Sequence, residues 1–198
     1  MYDRVVEIKE LVPKSKEIIV NTKNQQGVFY DTFFYTIPNQ PRNGNINGNG
    51  SPREISNVKS YLYIVSQIQS GDSSLDYVPN LIASFIKREI ESSNYSPDGE
   101  NQSFENSLKK TNELVEGLIK DNNDIKLDLG VALITKEKMT LSKIGKVKML
   151  AYRPLSNEVF DVFENITQFS KSHIKNNKIF SNIISGEVKK NDRFFFFS

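Results

Sequence analysis

The sequence predicts an α+β chain in which strands enclose two helices, and three observations carry that prediction. Segments rich in β-branched and aromatic residues open the chain, two long stripes of helical periodicity occupy its middle, and a run of short strand-like segments closes it. At 198 residues the chain is long enough to bury a sizeable core without a staple. We expect residues 1–198 to form a single domain.

Residues 4–12 and 28–37 read as strands separated by Pro13 and a polar stretch. Residues 38–56, PNQPRNGNINGNGSPREIS, combine Gly, Asn and Pro with almost no apolar residue, which predicts a flexible loop. Gly44, Gly48 and Gly50 do not form a phosphate cradle, because no helix follows and the Gly-Lys-Ser/Thr ending is missing. Residues 61–65, YLYIV, form a continuous apolar run expected of a strand covered on both faces.

Two helices follow. In the first, Asp76 is expected to cap a run in which Val78, Leu81, Ile82, Phe85, Ile86 and Ile90 recur at helical steps, with Pro79 in the opening turn. In the second, Ser103 precedes Phe104, Leu108, Thr111, Leu114, Val115 and Leu118. Each stripe is read as core-facing.

Residues 127–135, 138–144, 147–152 and 158–163 are strand-like runs joined by short turns, the pattern of an antiparallel meander. Lys146 and Lys148 alternate with Val147 and Met149, which places the lysines on a solvent face. The tail holds an apolar knot at residues 179–184 and a final strand, 193–197. Four consecutive Phe at the end lead us to expect that the natural chain continues beyond Ser198, so that the fold is truncated here.

Composition excludes several function classes. There is no cysteine, so disulfides, thiolate nucleophiles and nearly all structural zinc sites are ruled out. Basic and acidic residues number 26 and 24, too even a balance for the field that nucleic-acid binders use. No secretion signal opens the chain and no apolar run is long enough to span a bilayer, so a cytoplasmic location is expected. His173 is the single histidine and lies in a polar segment, the setting of a surface residue and not of a catalytic base. For a hard cation the least unsuitable carboxylates are Asp31, Asp72 and Asp76, of which Asp72 reads as a turn residue and Asp76 as a helix cap.

The order of these elements, with YLYIVSQ from Tyr61, LGVALITKEKMTLSKIGKVKMLAYR from Leu129 and SGEVKKNDRFFFFS from Ser185, resembles the PPM family of metal-dependent protein phosphatases, type 2C. The resemblance covers residues 61–198 and rests most on Gly145 and on the spacing from Gly186 to Asp192. It implies an antiparallel β-sandwich flanked by helices, the αββα arrangement. It also implies two divalent ions held by Asp residues, whose bridging water attacks phosphorus, and an Arg that grips the phosphate.

The departures lie at the ligand positions. Where the family has Asp-Gly after the apolar strand, this chain has Ser66, Gln67 and Ile68, and Lys146 takes the acidic position of the Gly-Asp-Ser-Arg motif. Ser, Gln and Ile do not replace a carboxylate on a hard cation, and a lysine repels it. Asp192 is expected to organise its turn and not to bind metal. The expectation is therefore a non-catalytic phosphatase-like module with no catalytic, cofactor or metal residues, acting on an unidentified protein partner, with no nucleic acid. Two alternatives stand beside it. One is an active manganese- or magnesium-dependent phosphatase using Asp31, for which the resemblance suggests a remnant acidic position, Asp72 and a carboxylate beyond Ser198. The other is a structural or assembly protein of unrelated α/β fold, with a meander edge and a Phe cluster as its contact surface.

Overall fold

A computed structural model describes residues 6–9, 27–37, 60–93, 100–121, 124–135, 138–164, 180 and 182–197. The proposed loop at 38–56 and His173 lie outside these residues.

Among the described residues, nine strands and two α-helices follow one another as β1 (Val6–Lys9), β2 (Val28–Ile37), β3 (Ser60–Gln69), α1 (Val78–Ser92), α2 (Glu100–Asp121), β4 (Lys126–Thr135), β5 (Lys138–Ile144), β6 (Lys148–Arg153), β7 (Glu158–Asp161), β8 (Ile184–Glu187) and β9 (Arg193–Phe197). They form two sheets, antiparallel throughout. One has the order β2-β3-β4-β5-β8 and the other β1-β9-β6-β7.

The expected meander is thus divided between layers. β4 pairs with β5 and β6 pairs with β7, but β5 and β6 lie in different sheets. The reason is Gly145, whose φ of 71° lets the chain leave one sheet and enter the other. A Cβ at this position would collide with the Asp128 side chain and the Leu127 carbonyl.

The five-stranded sheet is buried on both faces, and its period-two alternation sorts its side chains between two cores. Leu62, Ile64 and Ile68 of β3 and Leu127, Leu129, Val131 and Leu133 of β4 pack under the helices with Ile82, Ile86, Ile90, Phe104, Leu108 and Val115. The opposite face presents Val65, Ala132, Ile134, Met139 and Leu141 to Val147, just ahead of β6, and to Met149, Ala151, Phe194 and Phe196 of the four-stranded sheet. Each fully buried Leu, Ile or Phe contributes about 1.5–3 kcal/mol relative to exposure.

Gly130 sets the spacing between sheets. A Cβ there would fall 2.9 Å from Val147 Cγ1 and 3.2 Å from the Phe196 ring, so only glycine admits this approach. The two helices are tied across their faces by Lys110 and Glu89 at 2.7 Å.

Pro79 lies in the opening turn of α1 as expected, but the cap differs. Tyr77 is the N-cap and makes no side-chain cap bond, while Asp76 ends a short 3-10 helix, Ser73–Leu75. α2 starts at Glu100, ahead of Ser103, whose carbonyl accepts the Ser107 hydroxyl inside the helix. No helix of the described residues is long and apolar enough to cross a membrane.

Candidate functional site

The site is the end of the sandwich where β3 finishes, β4 begins and the chain crosses from β5 to β6. Register places Gln67 of β3 opposite Asp128 of β4. Asp128 Oδ1 accepts the Lys146 amide at 2.6 Å, so the carboxylate holds the crossing turn in place. Lys146 itself is exposed, as is Lys148, in accord with the solvent-face reading of both.

Lys143 is different. Along β5, Met139 and Leu141 point into the space between the sheets, and two residues further on the same alternation sends Lys143 there. Its Nζ donates to the Val147 carbonyl at 2.7 Å and lies 4.8 Å from the centre of the Phe163 ring. Burial pulls its pKa below the usual lysine value, Asp161 and Asp128 oppose that shift, and Lys148 adds to it. Lys143 is not among the residues singled out from the sequence, although the period of two through Met139 and Leu141 is a signal for it.

The other ligand-position residues do not converge here. Ser66 pairs with Asp31 on one side and Leu129 on the other, and Leu129 belongs to the core under the helices. Ser66 therefore faces the helix layer and not the second sheet. Its hydroxyl is buried with no hydrogen-bond partner among the described residues, at a cost of about 1–3 kcal/mol. Ile68 is fully buried in the same core.

Asp31 shares the face of Ser66, and its Oδ1 accepts the amide of its own neighbour Thr32 at 2.8 Å. Asp72 lies beyond Gln69, the last residue of β3, and its Oδ1 accepts the Ser74 amide at 2.8 Å, a bond that lowers its pKa. This is the turn role expected of it. The register thus sets Asp31 and Asp72 apart, one inside a strand and one past its end. Among the described residues no group of three or more His, Cys, Asp or Glu is placed to hold a metal ion.

Asp192 has the organising role expected of it. It accepts the Lys189 amide at 3.0 Å and pairs with Arg153 Nη2 at 3.1 Å, bracing the turn that leads into β9.

Two packed antiparallel sheets, with α1 and α2 inserted between β3 and β4 and laid on one of them, define the architecture, and solved structures share it. The S. agalactiae serine/threonine phosphatase aligns over 84% of this chain and 78% of its own, with 11% identity and a TM-score of 0.50. The chain has the fold of the PPM-type serine/threonine phosphatases. PppA of Pseudomonas aeruginosa, described as a key regulatory component of T6SS, aligns over 84% of this chain and 75% of its own at 13% identity, again with a TM-score of 0.50. A variant of a bacterial serine phosphatase aligns over 87% of this chain and 99% of its own at 12% identity and a TM-score of 0.50. No family model matches the chain, and no curated protein does.

At such identities the PPM-type likeness establishes fold and not chemistry. It does remove the alternative of an unrelated α/β fold. It also calls for a test of the divalent ions that the fold family implies. A pair of such ions needs several carboxylate oxygens around one small space. Here Ser66 and Ile68 turn towards the helices, Gln67 stands beside a carboxylate already engaged by the turn, and Lys143 brings a positive charge between the sheets. These residues do not fit a metal pair.

Proposed function

We propose that this chain is a PPM-type phosphatase fold without hydrolytic activity, working as a binding or regulatory module for another protein. The observation that carries the reading is the stretch Ser66, Gln67 and Ile68, which stands where the family has Asp-Gly and holds no carboxylate; Ser66 and Ile68 face the helix core, and Gln67 lies opposite Asp128. Lys143 and Lys146 at the crossing turn support it, since both would repel a divalent ion.

An active enzyme that uses Asp31 and Asp72 is disfavoured by their positions, Asp31 inside β2 and Asp72 past the end of β3. As for the binding surface, Leu155, Val159 and Phe160 around β7 are large apolar residues open to solvent.

The test is a calorimetric titration of the chain with manganese beside an assay of aryl phosphate hydrolysis. No binding heat and no turnover are expected. Manganese-dependent turnover would overturn the reading, and its loss in Asp31→Asn or Asp72→Asn would assign it to the enzyme alternative.

A further inference from the structure

The half-buried Lys143 is a charged side chain of the described sandwich interior, and its surroundings define a task for it beyond repelling a divalent ion. It is rooted in β5 of the five-stranded sheet, yet both of its partners belong to the other layer: the Val147 carbonyl just ahead of β6, and the Phe163 ring just past β7. The carboxylates that act on its charge come one from each sheet, Asp128 from β4 and Asp161 from β7. Each carboxylate is itself engaged in holding backbone, Asp128 on the Lys146 amide and Asp161 on the Phe163 amide at 2.9 Å. A positive charge therefore stands between two layers at the point where two acidic side chains brace the connecting segments.

We propose that the Lys143 ammonium is the resident cation of this end of the sandwich, tying its two sheets together with the protein's own charge. The inference rests on the non-catalytic reading in one respect, that no divalent ion is needed at this end. An ammonium on a four-carbon stem reaches across the layers from one strand, carries three donors, and needs no further carboxylates. It fixes the relative position of β5, the crossing turn and the end of β7 without any ion from solution. A divalent ion at the same point would be excluded by charge.

The test is thermal melting of the full chain, wild type, Lys143→Met and Lys143→Asp, each with a chelator and with excess manganese. The wild-type Tm is expected to be the same in both within about 1 °C. Lys143→Met, which removes the ammonium on which Asp128 and Asp161 both act, is expected to gain stability with manganese. Lys143→Asp adds a third carboxylate, and at a hundredfold excess of ion over Kd its Tm should rise by roughly 5 °C or more. A wild type stabilised by manganese, or a Lys143→Met chain as indifferent to manganese as the wild type, overturns the inference. If Lys143→Asp fails to fold in either buffer, Lys143→Met decides. Turnover of an aryl phosphate in the same samples speaks only to the non-catalytic reading, so the two can fail separately.

Discussion

Asn112 and Phe180 exchange two hydrogen bonds: the Asn112 amide nitrogen donates to the Phe180 carbonyl at 2.9 Å, and the Phe180 amide donates to Asn112 Oδ1 at 2.8 Å. A side chain of α2 thus pairs with a backbone residue 68 positions later as a strand partner would. The same segment is held from the sheet side, where the Ser142 hydroxyl donates to the Asn182 carbonyl at 2.6 Å.

Replacing Asn112 with Ala leaves both polar groups of Phe180 without that partner, in a residue that is almost fully buried. A loss of about 2–3 kcal/mol is expected by urea denaturation. Asn112→Asp should cost at least as much, because its carboxylate would replace the amide donor and face the Phe180 carbonyl. A loss under about 0.5 kcal/mol in both variants would show that the pairing does not hold the segment.

Gly145→Ala should be destabilising by more than the roughly 1 kcal/mol typical of an exposed glycine replacement. The positive φ strains any L side chain, and the Asp128 carboxylate occupies the space a methyl would need. Combining it with Asp128→Ala should recover part of the loss, since the second change removes the collision with the Asp128 side chain and leaves the strain and the Leu127 carbonyl contact. Fully additive losses in a double-mutant cycle would contradict this.

Lys143 gives a pH dependence of definite sign. Burial lowers its native pKa below 10.5, so between the native value and 10.5 the unfolded chain binds the proton more tightly. Its contribution to stability is lost as pH falls through the native pKa and fully present above 10.5. The stability of wild type relative to Lys143→Met should therefore rise as pH climbs towards 10.5, read by denaturant titration at a series of pH values. A flat or falling difference would place the amine in water.

Tyr63 has the opposite sign. Burial first, and the neighbouring Tyr61 second, raise its pKa above the usual 10.0. Once pH exceeds 10.0, the unfolded chain ionises while the native state keeps the proton, so stability falls. Tyr63→Phe should match wild type near neutral pH and lose less stability above pH 10.0. Its ring also packs 4.7 Å from that of Phe34, a contact that the substitution retains.

Much of this architecture can be read from residue order. The bounds of β2, β5 and β9 coincide with their apolar and β-branched runs, because such strands carry their own alternation. The division of the meander cannot be read so, since the turn at Ile144-Gly145-Lys146 looks the same whether the chain returns to its own sheet or crosses to the next. The start of α2 escapes the same reading because its first turn holds no apolar residue ahead of Phe104. At the site, Ser66, Gln67 and Lys146 are visible as substitutions in a pattern. The direction in which Ser66 points depends on pairing with Leu129, a residue beyond both helices that no local pattern connects to it.

β1 and β9 are partners, with Val6 opposite Phe196 and Lys9 opposite Arg193. A ribosome making this chain would release the segments of β2, β3, β4 and β5 early enough for them to pair with one another. β1 would have to wait, unpaired, until β9 had been made. Closing so long a loop is slow, and during that interval the face of the five-stranded sheet that bears Ala132, Met139 and Leu141 lacks the cover of Phe194 and Phe196. The nascent chain is accordingly more open to aggregation and to chaperone capture until β9 emerges.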